Sequence, residues 1–200
     1  MEDRSPPLRR LSGNRRSKES DQAIMDAAHK LLRERGYEGL NFDSLAREAG
    51  VSRPTVYRRW ASKSELLEDI AYGTREADPI VLAGSDLRLS IRQFLEAIAA
   101  FYSRPEIRSA VLGVMASMPS TDQYPCKSSQ DAEISMRGAM QSFVDEAKCA
   151  GLMRDDVESN AFYDLAVGSI LYRHAFSYRR SMKESLDGIV DLLMRAVARD

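Results

Sequence analysis

Three helix starts crowd into the stretch from Asn41 to Leu67, NFDSLAREAGVSRPTVYRRWASKSELL, and this crowding constrains the fold more than any other feature of the chain. Asn41 is an N-cap residue type ahead of Leu45, Ala46 and Ala49 on one face, and Gly50 breaks that run. Ser52 is a second N-cap type, with Pro54 in the first turn, where a missing N–H costs nothing, and the helix it opens ends near Trp60. Ser62-Lys63-Ser64-Glu65 is a Ser-x-x-Glu capping box that opens a longer helix through Leu66, Leu67, Ile70 and Ala71, closed at Asp78-Pro79. Two short helices joined at a glycine form a helix-turn-helix if their facing sides are apolar and small enough to cross closely. Leu45, Ala46, Ala49, Val51, Val56 and Trp60 supply that miniature core, with Val56 and Trp60 one turn apart. The opposite side of the second helix then carries Arg53, Thr55, Tyr57, Arg58 and Arg59, the donors that base-edge and phosphate contacts require on a helix slender enough for a major groove.

The rest of the chain is also helical in pattern. Residues 1 to about 17 combine Pro, Ser, Gly and Arg with few apolar side chains, and are expected as a flexible basic arm. From Ser20 the texture becomes helical: Ile24, Ala27, Ala28, Leu31 and Leu32 recur at three- and four-residue spacing until Gly36. Further helical runs fall at roughly 86–103, 105–118, 129–150, 156–181 and 184–199, separated by Pro105, by Pro119 through Ser129, by Gly151 and by Ser181-Met182. No stretch alternates with period two. The expected fold is all-α, with about nine helices: an N-terminal three-helix head at 18–64, carrying the helix-turn-helix at 41–60, and a larger helical body at 65–200.

Charge divides the chain in the same way. The sum is −1, from 29 Lys+Arg and 30 Asp+Glu. Met1 to Lys63 holds 14 basic and 9 acidic residues, about +5, which leaves about −6 for the remainder. A basic third on an acidic body suits a polyanion met locally. Cys126 and Cys149 are too few for a disulfide framework, so a reducing cytoplasm is the expected compartment. The first residues carry no apolar leader, and the longest stretch without a charged residue, Ser109 to Thr121, is shorter than the ~18 residues that span a bilayer, so neither a signal peptide nor a membrane partner is expected. With no phosphate-binding glycine loop, no usable metal-ligand spacing and only two histidines, no catalytic site, cofactor or metal is expected. Cys126 and Cys149 have only Lys127 and Lys148 as cationic neighbours in sequence, a thin basis for thiol sensing.

The head resembles the tetracycline-repressor (TetR) family of bacterial one-component regulators. The likeness lies in the ordered string Gly36-Tyr37-Glu38-Gly39-Leu40, Leu45-Ala46-x-x-Ala49-Gly50-Val51-Ser52, Pro54-Thr55-Val56-Tyr57 and Ser62-Lys63-x-x-Leu66, about the first 65 residues, with turn and cap residues in register. The resemblance implies that Arg53, Pro54, Thr55, Tyr57, Arg58 and Arg59 face DNA, that Asn41 is the cap residue approaching a phosphate, and that Lys63 contacts the backbone. Asp43 departs from the pattern, since a basic or polar residue often reaches the groove there. It either accepts from a cytosine amino group or faces away. Arg9, Arg10, Arg15 and Arg16 would add minor-groove contact or counterion release if the arm engages DNA at all.

The resemblance also implies a homodimer, because one short recognition helix supplies too few contacts. The run Ala161 to Phe176 is apolar almost all round and the final helix carries a continuous stripe, so Leu165, Gly168, Tyr172, Ile189 and Leu193 are the candidate dimer residues. Large soft side chains between head and interface make Phe101, Met115, Met140 and Phe143 the candidate lining for a small, largely apolar ligand of the kind the family encloses. His174, mid-helix, reads as a core or interface residue. The function implied is a cytoplasmic, bacterial, nucleoid-associated regulator, a repressor released from a palindromic double-stranded operator by that ligand. The alternative is a helical small-molecule or protein-binding module without sequence-specific DNA recognition, for which Asp43 is the one hint.

Overall fold

The computed structural model describes residues 9–73, 84–117, 127–176 and 182–199. Among them nine α-helices follow one another: α1 (Arg9–Gly39), α2 (Phe42–Glu48), α3 (Arg53–Tyr57), α4 (Lys63–Glu68), α5 (Leu87–Ser103), α6 (Pro105–Ser117), α7 (Lys127–Cys149), α8 (Ser159–Phe176) and α9 (Met182–Val197). The helix α4 runs on as one π-helical turn, Asp69–Gly73. The only extended pairing among the described residues is an isolated antiparallel bridge between Met153 and Ala198. None of the described helices is long and apolar enough to cross a membrane.

Helix ends differ from the sequence expectation where straight-chain residues or caps override a weak pattern. The first helix opens at Arg9 and not near Ser20, so residues 9–17, expected as part of a flexible arm, are helical backbone. Beyond Pro7 nothing there breaks a helix more strongly than Gly13, and arginine and lysine lose little rotamer freedom in one. Residues 1–8 lie outside the described residues. At Gly36 the backbone leaves helical geometry, with φ 67° and ψ −172°, and kinks α1 before its last residues. The helix α3 is shorter than expected, although the Trp60 amide still reaches the Val56 carbonyl at 3.1 Å. The helix α8 starts at Ser159, later than expected, because the Glu158 carboxylate accepts from the Asn160 and Ala161 amides and caps it. The break expected at Asp78-Pro79 and most of those expected at Pro119 through Ser129 and Ser181-Met182 fall outside the described residues, but α7 already opens at Lys127 and α9 at Met182.

Head and body share one apolar core. Ile24, Ala28, Leu31 and Leu32 of α1 are buried with Leu45, Val56, Trp60 and Leu66 of the head and with Ile107, Ala110 and Val114 of α6. The closest joint is at Gly113: a Cβ there would lie 2.3 Å from Tyr37 Cδ2 and 3.0 Å from Leu67 Cδ1, so only glycine lets the end of α1 and α4 sit this near α6. The Ser117 hydroxyl donates to the Gly113 carbonyl at 2.7 Å, so across the joint the Tyr37 hydroxyl donates to Ser117 Oγ at 3.1 Å. The 64/65 division of the expected domains therefore falls inside α4, which packs on α6 and is tied to α1 through Lys63 and Tyr37.

Candidate nucleic-acid interface and body cavity

The reading head is built by its caps. Asn41 Oδ1 accepts from the Ser44 amide at 2.8 Å, while Ser44 Oγ returns to the Asn41 backbone, which closes a capping box at the start of α2. Gly50 adopts φ 66°, and the Val51 amide bonds to the Ala46 carbonyl at 3.0 Å, which turns the chain sharply into α3. Ser52 differs from expectation: its hydroxyl bonds to Thr55 Oγ1 at 2.8 Å and makes no cap to a backbone amide. Ser62 Oγ accepts from the Glu65 amide at 3.1 Å, but the Glu65 carboxylate accepts from the Ala61 amide at 2.7 Å, one residue before the cap, so the expected box opening α4 is closed on one side only.

These turns sort the residues of α3 by face. Val56 and Trp60 are buried against Leu45 and Ala46, with Ala49 and Val51 half-buried around them, and the Trp60 indole N–H donates to Asp69 at 3.1 Å. Arg53, Pro54, Tyr57, Arg58 and Arg59 are exposed, and Thr55 is half-buried. The cations are not equivalent. Arg53 pairs with Asp43 at 3.0 Å and donates to the Tyr57 hydroxyl at 3.1 Å; that bond, then the Asp43 charge, favours its cationic form. Arg59 pairs with Asp21 of α1 at 2.5 Å. Lys63 donates to the Tyr37 carbonyl at 2.6 Å and lies 3.9 Å from the centre of the Tyr37 ring. Arg58 has no ion pair among the described residues. Asp43 is exposed and paired with Arg53 of the next helix. Sequence reasoning also missed Phe42, which is buried and meets Tyr57 edge-on at 4.8 Å.

In the body an open cavity of about 630 Å³ lies between α7 and α8, lined also by Tyr102 of α5 and by Ala71 and Tyr72 of the π-helical turn. Its apolar wall includes Met136, Ile134, Val167 and Leu171. Burial pushes the Tyr72 phenol far above its ordinary range, so it stays neutral. Arg137 lies over the Tyr163 ring at 4.8 Å, held by Asp164 at 2.7 Å and Glu133 at 2.8 Å. The four ligand residues expected from sequence are not in this wall. Met140 and Phe143 are fully buried core, Phe101 packs edge-on against Tyr102 without reaching the cavity lining, and Met115 is exposed on α6. They lie apart because α7 meets the cavity one turn earlier, at Met136 and Arg137, where α7 and α8 part. Among the described residues no His, Cys, Asp and Glu group could hold a metal ion.

On the outer side of α8 and α9, Leu165, Tyr172, Phe176 and Leu192 stand 63–68% exposed. Of the dimer residues expected from sequence, Leu165 and Tyr172 are exposed. Gly168 is exposed but borders the cavity, Ile189 is half-buried against the core, and Leu193 is only 6% exposed. The inward stripe of α9 is Leu186, Val190, Leu193 and Val197 at helical spacing, which leaves Leu192, not Leu193, facing out. His174 has an imidazole pushed below its ordinary range by burial first and by the Arg108 charge second. Cys149 is an exposed free thiol at the end of α7, and Cys126 lies outside the described residues.

A two-helix reading head set by one continuous core on a helical body is the architecture of a DNA-binding one-component regulator. Residues 24–70 match the family model "Bacterial regulatory proteins, tetR family", and residues 84–193 match "Tetracyclin repressor-like, C-terminal domain". The chain belongs to the TetR family of helix-turn-helix transcriptional regulators, which are not enzymes and whose partners are operator DNA and a second subunit. It is 24% identical over 165 residues to the uncharacterised HTH-type transcriptional regulator YdeS of Bacillus subtilis, which covers 80% of this chain and 81% of that one. Over 50 residues, 25% of this chain and 27% of the relative, it is 40% identical to an HTH-type transcriptional regulator of Staphylococcus aureus. Among solved structures, NalD, the secondary repressor of the MexAB-OprM multidrug efflux pump in Pseudomonas aeruginosa, has the same fold. Its TM-score is 0.64 at 19% identity, covering 93% of this chain and 99% of NalD.

Proposed function

We propose that the chain is a homodimeric repressor that leaves a palindromic operator when a small, largely apolar ligand enters the body cavity. The observation that carries this reading is the course of one helix: α4 begins at Lys63, beside the recognition helix, and its π-helical extension carries Tyr72 in the cavity wall. A ligand packed on Tyr72 acts on the rod that carries Lys63, and its differential affinity for two positions of that rod sets the size of the response. In this reading residues 18–64 are the head and 65–200 the ligand-binding and dimerisation body. Asn41, Arg53, Pro54, Thr55, Tyr57 and Arg58 meet DNA directly, while Arg59 and Lys63 exchange Asp21 and the Tyr37 carbonyl for phosphate. Leu165, Tyr172, Phe176 and Leu192 bury against a second copy, which sets two recognition helices about 34–36 Å apart.

The cavity also speaks to the ligand. Arg137, the arginine among its described lining residues, is already held by two carboxylates, so an anion would have to displace them, whereas Tyr72, Tyr102, Tyr163 and Met136 favour an uncharged aromatic molecule. Site selection from random duplexes with the full chain, then fluorescence anisotropy with Arg58→Ala and Thr55→Ala, tests the head. If neither variant weakens specific binding while fold and dimer persist, the head assignment is wrong. With about six phosphates contacted, log affinity falls against log salt with a slope near −5. Nile red, an uncharged apolar dye, is expected to bind the body and to be excluded by Ile134→Glu at the cavity mouth. Equal dye binding by both proteins would place the ligand elsewhere.

A further inference from the structure

A carboxylate on a DNA-facing surface repels phosphate, yet Asp43 sits there, in the first turn of α2 beside Asn41. Its Oδ1 forms an ion pair with Arg53 Nη1 at 3.0 Å, and Arg53 Nη2 donates to the Tyr57 hydroxyl at 3.1 Å. The Tyr57 ring is fixed in turn, edge-on to buried Phe42 at 4.8 Å and 73°. Phe42 and Asp43 are neighbours on α2, while Arg53 and Tyr57 are one turn apart on α3. The four residues close a loop between the two helices, and the guanidinium is held from both sides.

We propose that Asp43 is a specificity-determining positioning residue: with Arg53 it forms one unit that reads a G·C base pair, and it keeps that guanidinium off the phosphates. The proposal rests on the DNA-binding reading above. An exposed ion pair adds little to stability, so its consequence is geometric. Of the five donors of Arg53, one is spent on Tyr57 and a second faces Asp43 in the ion pair. The three that remain include enough for the O6 and N7 acceptors of guanine, and Asp43 keeps lone pairs for the N4 amino group of the paired cytosine. Donors and an acceptor side by side are the complement of that edge. A lone arginine at the start of α3 would instead be drawn to the most abundant acceptor, phosphate, and would raise affinity for every sequence alike. The Asp43 charge cancels that pull, and holding the side chain in advance lowers the ordering cost of base contact.

The test is site selection followed by binding across a salt series with the full chain, its Asp43→Ala, Asp43→Asn and Arg53→Ala forms. The natural chain is expected to select a G·C pair at one position in each half-site. Asp43→Ala should lose that preference at least tenfold, gain affinity for random duplex, and steepen the salt slope by about 0.9 as Arg53 takes a phosphate. Arg53→Ala should lose the same preference without steepening. Asp43→Asn keeps an acceptor of the same shape and should retain most of the preference while gaining random-duplex affinity, and it answers the question if the alanine form folds poorly. Unchanged base preference in Asp43→Ala overturns the proposal. So does a parallel loss of specific and random binding, which a purely structural residue would give. A natural chain that selects no sequence fails the DNA reading itself, while one that selects normally beside an unaffected Asp43→Ala sinks only this inference.

Discussion

The head and the body solve opposite problems with the same secondary structure. In the head, helices of five to seven residues are too short to hold themselves, so caps at Asn41 and Ser62, the turn at Gly50 and a small core around Val56 set every angle. Its outward side chains are fixed in advance, Arg53 by Asp43 and Lys63 by Tyr37. In the body, long amphipathic helices pack firmly along most of their length and part to leave a cavity of about 630 Å³. The difference teaches that rigidity here is placed in the reading head, where caps hold each short helix, and space is left in the body between its long helices.

The comparison breaks first if the head has no separate stability. Leu45→Ala removes a fully buried side chain of the head core and is expected to cost about 2–5 kcal/mol, ending operator binding while Nile red binding persists. A single urea transition that takes both activities away together would make head and body one cooperative unit. Next in size is the joint: Gly113→Ala forces a methyl onto the Tyr37 ring and should lose about 1–3 kcal/mol, read from urea unfolding. Leu192→Glu places a charge on the exposed apolar face and should raise the dimer dissociation constant at least tenfold in analytical ultracentrifugation, without changing Nile red binding. Asn41→Ala removes the cap of α2 and should cost about 1 kcal/mol, with operator binding weakened more than dye binding.

The smallest effect sharpens the boundary by pH. His29 of α1 is held below its ordinary value of 6.5 by burial and then by the Arg104 charge, and its Nε2 has no hydrogen-bond partner among the described residues. The folded state therefore favours neutral His29, and the unfolded chain takes up the proton first as pH falls below 6.5. The stability is present above that value and is lost toward acid. The melting temperature should fall between pH 7 and pH 5, and His29→Gln should flatten that fall. An unchanged slope would assign it to His174, lowered in the same direction.

The head was legible because its information is local. Asn41, Gly50, Pro54 and Ser62 act within a turn of themselves, and the burial of Val56 and Trp60 follows from helical spacing alone. The body was legible only as helices. Met140 and Met136 are alike in sequence and one turn apart on α7, yet one is sealed core and the other lines the cavity. Leu192 and Leu193 are adjacent and face opposite ways. Asp43 was visible as a departure, but its partner lies on the next helix, and no spacing rule pairs them.

The amino-acid sequence by itself determined the all-α fold, the helix-turn-helix and the face it presents, since helix capping and 3.6-residue periodicity are written in neighbouring residues. Tertiary structure alone decided where α7 and α8 part to make a cavity, which leucine of α9 is left outward, and that Asp43 holds Arg53. Each of these depends on how separate helices pack, and packing is set by the sum of many distant contacts that no short stretch of chain contains.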